Sequence, residues 1–161
     1  MTNPCRSLGG AALLLPIGFI ENGFRESVPD GWERATHRLI LADEWAPALD
    51  GIEQFSHLYV VFWLHQIFGP LSTHVYPEDR FDLPEVGILA TRTPRRPNPI
   101  GLQVSELIAR VGNVLHVRRL DALNGTPLLD VKPYLPDGDA IPDARVAPWV
   151  ARLWEGRVRE K

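Results

Sequence analysis

The stretch VGILATRTPRRPNPIGLQVSEL, residues 86–107, places a stiff loop between two apolar runs. Val86 to Ala90 is apolar and Leu102 opens an alternating run, so Thr91 to Gly101 reads as a connection between two strands. Pro94, Pro97 and Pro99 fix their own φ and bias the residues before them toward extended conformations, which leaves little backbone freedom to lose on binding. Proline donates no hydrogen bond. Donation therefore falls to the other amides, the Asn98 side chain and the guanidinium groups of Arg92, Arg95 and Arg96. Such a loop suits an anionic or purine-bearing small molecule. The same composition also describes a solvated turn whose arginines form surface ion pairs.

Working downstream, Leu102 to Val111 and Val114 to Leu120 are separated by Gly112-Asn113, a two-residue hairpin signal. Leu115 and Val117 alternate with His116 and Arg118, as in a strand with one wet face. Leu128 to Val131 gives a further short strand between Pro127 and Pro133. Pro148 can open a terminal helix in which Val150, Leu153, Trp154 and Val158 recur at helical spacing, with Arg157, Arg159 and Lys161 at its cation-favouring end. Upstream, His57 to His65 is almost continuously apolar, which predicts a strand buried on both sides. Gly69 to Glu85 predicts a long exposed loop, His37 to Leu41 a short strand, and Asp43 to Asp50 a helical turn with Asp43 at its N-cap and Trp45 and Leu49 on one face. Roughly seven short strands and one terminal helix fit a mainly β fold, a single small barrel or curled sheet with few short helices, better than βαβ units.

The chain has 161 residues, 45% of them hydrophobic and 23% charged, which is ordinary for one self-folding globular domain. One domain over residues 1–161 is expected, with 1–10 as a flexible extension and 142–161 as a C-terminal helical arm. A single cysteine, Cys5, excludes an intrachain disulfide and a cysteine-based zinc cluster. The five histidines are scattered, and no metal is expected. A formal charge of -3 gives no global field for a polyanion, so any nucleic acid must be met by local positive charge. The Leu8 to Leu15 run has the look of a short secretory signal, but Pro16 interrupts it and it passes straight into Gly18-Phe19-Ile20. Ala12 to Ile20 is instead expected as the first strand. No stretch is long enough to span a bilayer, and a cytoplasmic protein is the simplest placement.

The segment from Val86 to Leu107 resembles the signature of the TsaA-like family, also called the tRNA methyltransferase O family, whose pattern reads approximately F-A-T-R-S-P-x-R-P-N-P-I-G. LDGIEQFSHLYVVFWLHQ, residues 49–66, and LDALNGTPLLDVKPYLP, residues 120–136, resemble the same family in the same order. The resemblance covers about Leu14 to Asp143. It implies a small β-barrel that binds S-adenosylmethionine, works as a homodimer, and methylates N6 of a modified adenosine beside the tRNA anticodon. Carried over by position, the family's cofactor contacts fall on His65, Gln66, Arg92, Leu102, Asn124, Gly125, Thr126 and Pro127, with Arg96 and Asn98 holding the loop. Leu102 and Pro127 can supply apolar walls, while Thr126 and the backbone amides hold polar edges.

Asp130, Lys132 and Tyr134 alternate, so an extended segment puts all three on one face, where they can orient or deprotonate an exocyclic amine. A surface ion pair fits the same spacing. His65 reads either as a ligand contact or as a structural residue ending an apolar strand. Two positions depart from the family's tRNA-acting members: P-R-Q is replaced by Pro29-Asp30-Gly31, and D-G-T-P becomes Asn124-Gly125-Thr126-Pro127. Three functional readings follow: a methyltransferase acting on tRNA, a module that holds S-adenosylmethionine without transferring its methyl group, and a barrel that binds another nucleotide or anionic metabolite.

Overall fold

The computed structural model describes residues 13–26 and 31–155. Two compact units are present, one from Met1–His65 with Ile100–Tyr134, the other from Gln66–Pro99 with Leu135–Lys161. The strands, in chain order, are β1 (Gly18–Glu21), β2 (His37–Leu41), β3 (His57–Trp63), β4 (His74–Val75), β5 (Val86–Gly87), β6 (Ile100–Val111), β7 (Val114–Arg118) and β8 (Pro127–Pro133). In the first unit six of them close into an antiparallel barrel in the order β1-β2-β7-β6-β3-β8.

Period-two alternation builds the barrel interior. Leu39 and Leu41 of β2, Leu58, Val60 and Phe62 of β3, and Leu115 and Val117 of β7 are all buried. Each fully buried leucine or valine contributes about 1.5–3 kcal/mol relative to exposure. β3 runs between β6 and β8, and Phe62 pairs with Gly101 on one side and Leu128 on the other. A Cβ on Gly101 would stand 2.2 Å from Phe62 Cε2, so the glycine that ends the proline-rich motif makes room for a core ring. The β6–β7 turn puts Gly112 at φ 61, and the hairpin falls where Gly112-Asn113 predicts it.

Several expected elements are corrected. β3 is not buried on both sides: Leu58, Val60 and Phe62 face inward while His57, Tyr59, Val61 and Trp63 are only half-buried. β1 begins at Gly18, six residues later than expected, because Pro16 lacks an amide and Leu13 to Leu15 stay exposed; Ala12 lies outside the described residues. Asp43–Leu49 is a 3₁₀ helix with Pro47 inside it, and Ala42 is the N-cap. Asp43 does not cap because its Oδ1 accepts a hydrogen bond from Asn113 Nδ2 at 2.9 Å. At three residues per turn, positions four apart do not share a face, which is why Leu49 is buried and Trp45 is 43% exposed.

In the second unit β4 and β5 form a two-stranded ribbon, with His74 opposite Gly87 and Val75 opposite Val86. The long loop expected over Gly69 to Glu85 therefore contains a strand, although most of its side chains are exposed; Pro77 and Leu83 are buried. The apolar run Val86 to Ala90 is a strand for two residues only, since Ile88–Ala90 turns as a 3₁₀ helix closed by the Thr91 amide on Ile88 O at 3.2 Å. A short helix α1 (Pro136–Asp139) is followed by α2 (Pro148–Trp154), which opens on Pro148 as its sequence predicts. Arg157, Val158, Arg159 and Lys161 lie outside the described residues.

Candidate functional site

Within the barrel unit, two segments far apart in sequence meet. His65 follows β3 by two residues, and Thr126 precedes β8 by one. The Thr126 hydroxyl and His65 Nδ1 lie 3.4 Å apart, at the long end of hydrogen-bond range. Thr126 is buried, His65 half-buried. Gly125 takes φ 78, a left-handed conformation that glycine adopts without steric cost, and Pro127 starts β8 opposite Phe19, where a missing amide is tolerated.

The expectation that backbone amides of this turn face a ligand is not met. Asn124 N donates to Phe24 O at 2.7 Å, Gly125 N to Ile20 O at 2.8 Å and Thr126 N to Leu123 O at 3.3 Å, so the fold consumes all three. Asn124 Oδ1 accepts from the Asn22 amide at 2.9 Å, which leaves its Nδ2 group as the donor the side chain presents. Leu102 pairs with Val61 on β3 and is 61% exposed, an apolar side chain on the outer face of the barrel.

Val61 also pairs with Asp130, and Tyr59 with Lys132, while the Tyr134 amide bonds His57 O at 3.0 Å. The register thus puts Asp130, Lys132 and Tyr134 along one outer face beside Val61, Tyr59 and His57. Tyr134 lies against Tyr59 and His57, with ring centroids 5.6 and 6.5 Å apart. Lys132 Nζ and Asp130 Oδ2 are 2.6 Å apart. The Asp130 hydrogen bond and charge raise the affinity of Lys132 for its proton, so this amine stays charged at neutral pH and is no base.

Gln66, Arg92, Arg96 and Asn98 belong to the second unit. There the proline loop is braced over short range. Arg96 Nη1 donates to Thr91 O at 2.7 Å, the Thr91 hydroxyl donates to Ile88 O at 2.8 Å, and Thr93 N donates back to that hydroxyl at 3.3 Å. Arg96 is half-buried; Gln66, Arg92 and Asn98 are exposed. Pro29 and Asp30, at the early departure from the family, lie outside the described residues.

One residue that the sequence does not single out is Asn22. It sits one position past β1, and besides holding Asn124 it donates from Nδ2 to Ala122 O at 2.8 Å. The only advance signal is an asparagine at a strand end followed by glycine, which reads as a generic turn. Among the described residues no group of three or more His, Cys, Asp or Glu is placed to hold a metal ion, and no helix is long and apolar enough to cross a membrane.

Residues 26–140 match the model of the tRNA-methyltransferase O N-terminal domain. The chain is 35% identical over 133 residues to an S-adenosyl-L-methionine-binding protein of Archaeoglobus fulgidus, covering 80% of this chain and 94% of that one. It is 40% identical over 111 residues to the tRNA (adenine(37)-N6)-methyltransferase of Escherichia coli strain K12, covering 66% of this chain and 47% of that enzyme. The crystal structure of TrmO from Pseudomonas aeruginosa superposes with a TM-score of 0.68 at 34% identity, over 84% of this chain and 61% of that one. The chain thus spans less than two thirds of the length of these last two proteins.

Proposed function

We propose that this chain, which belongs to the tRNA-methyltransferase O family, is an S-adenosylmethionine-dependent methyltransferase that modifies N6 of an adenosine in tRNA. The observation that carries the reading is the meeting of His65 with Thr126, because it joins two of the three segments that resemble the family's cofactor contacts. The residues present fit a sulfonium nucleoside. Within the barrel unit, Thr126 and Asn124 offer hydroxyl and amide groups and Leu102 offers uncovered apolar surface.

When bound, S-adenosylmethionine supplies an electrophilic methyl group; the chain's own part is to hold and orient. Thr126 and Asn124 hold the cofactor's polar edges. Asp130 would accept the hydrogen bond of the attacking amine and take its proton, while Lys132, held protonated, fixes that carboxylate in place through their ion pair. Tyr134, braced by Tyr59, lines the same face. The active species is a homodimer, which sedimentation equilibrium checks directly. A second reading, a module that binds the cofactor without transferring its methyl group, draws on the Asp130–Lys132 ion pair, since that carboxylate oxygen is already engaged by the amine.

Calorimetric titration with S-adenosylmethionine, followed by incubation with methyl-labelled cofactor and bulk tRNA, separates the two. Saturable heat and label recovered in N6-methylated adenosine are expected. Heat without label leaves the binding module standing; no heat removes both readings.

A further inference from the structure

The turn at Asn124 to Pro127 is held from behind by half-buried Asn22 and buried His37, a pair that the reaction itself does not use. Asn22 spends its backbone amide and both ends of its side chain on this region. Its backbone amide donates to Asn124 Oδ1 at 2.9 Å, its Oδ1 accepts from Phe24 N at 2.8 Å, and its Nδ2 donates to Ala122 O at 2.8 Å and faces His37 Nδ1 at 3.1 Å. His37 is fully buried at the start of β2, stacked on Phe24 with ring centroids 5.6 Å apart. Its other nitrogen, Nε2, lies 3.0 Å from Trp32 O. A carbonyl only accepts, so Nε2 carries the proton and Nδ1 is the acceptor that Asn22 Nδ2 requires. The arrangement closes only with a neutral ring in that tautomer.

We infer that Asn22 is a positioning residue for the Asn124–Pro127 turn and that neutral His37 is the latch that fixes its amide, so that a proton on His37 releases the turn. Adding that proton sets Nδ1–H against the Asn22 NH₂ group, two donors face to face. Turning the amide over to meet it would abandon both Ala122 O and Phe24 N. Burial pushes the ring below its ordinary value of 6.5, while the hydrogen bond to Trp32 and the charge of Asp121 oppose that shift. Glu33 in turn acts on Asp121. The latched form therefore prevails above the ring's titration and fails below it. This inference rests on the proposed role of the turn in holding the cofactor.

The test compares the full chain with Asn22→Ala and His37→Asn over about pH 5 to 8, reading S-adenosylmethionine affinity by calorimetry and amide hydrogen exchange without ligand. In Asn22→Ala the Asn124 and Gly125 amides should exchange on the order of tenfold faster while Leu39 and Val60 keep their protection, and affinity should fall roughly tenfold. In the unmodified chain, exchange at Gly125, corrected for its intrinsic rate, should rise in step with the His37 ring nitrogen signal on acidification. His37→Asn, which keeps an acceptor near Nδ1 but cannot titrate, should lose that step. Unchanged exchange at both amides in Asn22→Ala, or Gly125 exchange in the unmodified chain uncoupled from the His37 signal, overturns the latch, and the second readout needs neither ligand nor the alanine variant. Absence of calorimetric heat in the unmodified chain would overturn the cofactor reading alone. A loosened turn at unchanged affinity would overturn the positioning role.

Discussion

The proline loop and the Asn124–Pro127 turn are held in opposite ways. The loop is braced by its own residues: three prolines, and hydrogen bonds among Ile88, Thr91, Thr93 and Arg96. The turn is held by partners roughly a hundred residues upstream, Ile20, Asn22 and Phe24, and by His65 beyond the end of the neighbouring strand β3. A locally braced segment carries its shape in its own letters. A segment held at long range depends on the barrel closing first.

Substitutions can break this contrast, and the largest effect is expected where the two modes join. Gly101 ends the local motif yet answers to a distant ring, so Gly101→Ala should cost about 1–3 kcal/mol in denaturant unfolding, because the new methyl meets Phe62. A small effect would mean that Phe62 moves aside freely. Arg92→Ala should weaken S-adenosylmethionine binding by about 1–3 kcal/mol and leave the unfolding midpoint in place, since the side chain is exposed. Unchanged affinity removes Arg92 from the site. Arg96→Ala should cost roughly 1 kcal/mol, felt locally as faster exchange of the Thr93 amide and faster proteolysis of the loop, with the barrel amides unaffected. If barrel amides also loosen, the bracing is not local. Asp130→Asn should leave the thermal midpoint where it is, because the ion pair to Lys132 is exposed, while methyl transfer falls; loss of neither property would confine Asp130 to the surface.

The same contrast explains what could be read in advance. β2 lies over the five residues expected as a short strand, and the β6–β7 hairpin turns at Gly112-Asn113, because composition and turn chemistry are local signals. Asp130 and Lys132 share a face for the same reason, since β8 is extended there, and Tyr134 follows one residue past its end. Val86 to Ala90 misleads because an apolar run does not record the Thr91 hydroxyl and amide, which draw its last three residues into a turn. Asn22 and His37 stay hidden because their importance lies in partners remote along the chain. The turn's amides look available in sequence and are spent in the fold, which shifts the burden of recognition to the side chains of Asn124 and Thr126.

Ring closure of the six barrel strands has one more implication. An open sheet leaves a rim of backbone donors and acceptors onto which a foreign strand can zip, and many proteins recruit partners or aggregate that way. Here every barrel strand has a neighbour on both flanks. Anything that docks on this barrel must therefore be selected by side chains, and the barrel is spared the indiscriminate stickiness of an unpaired edge.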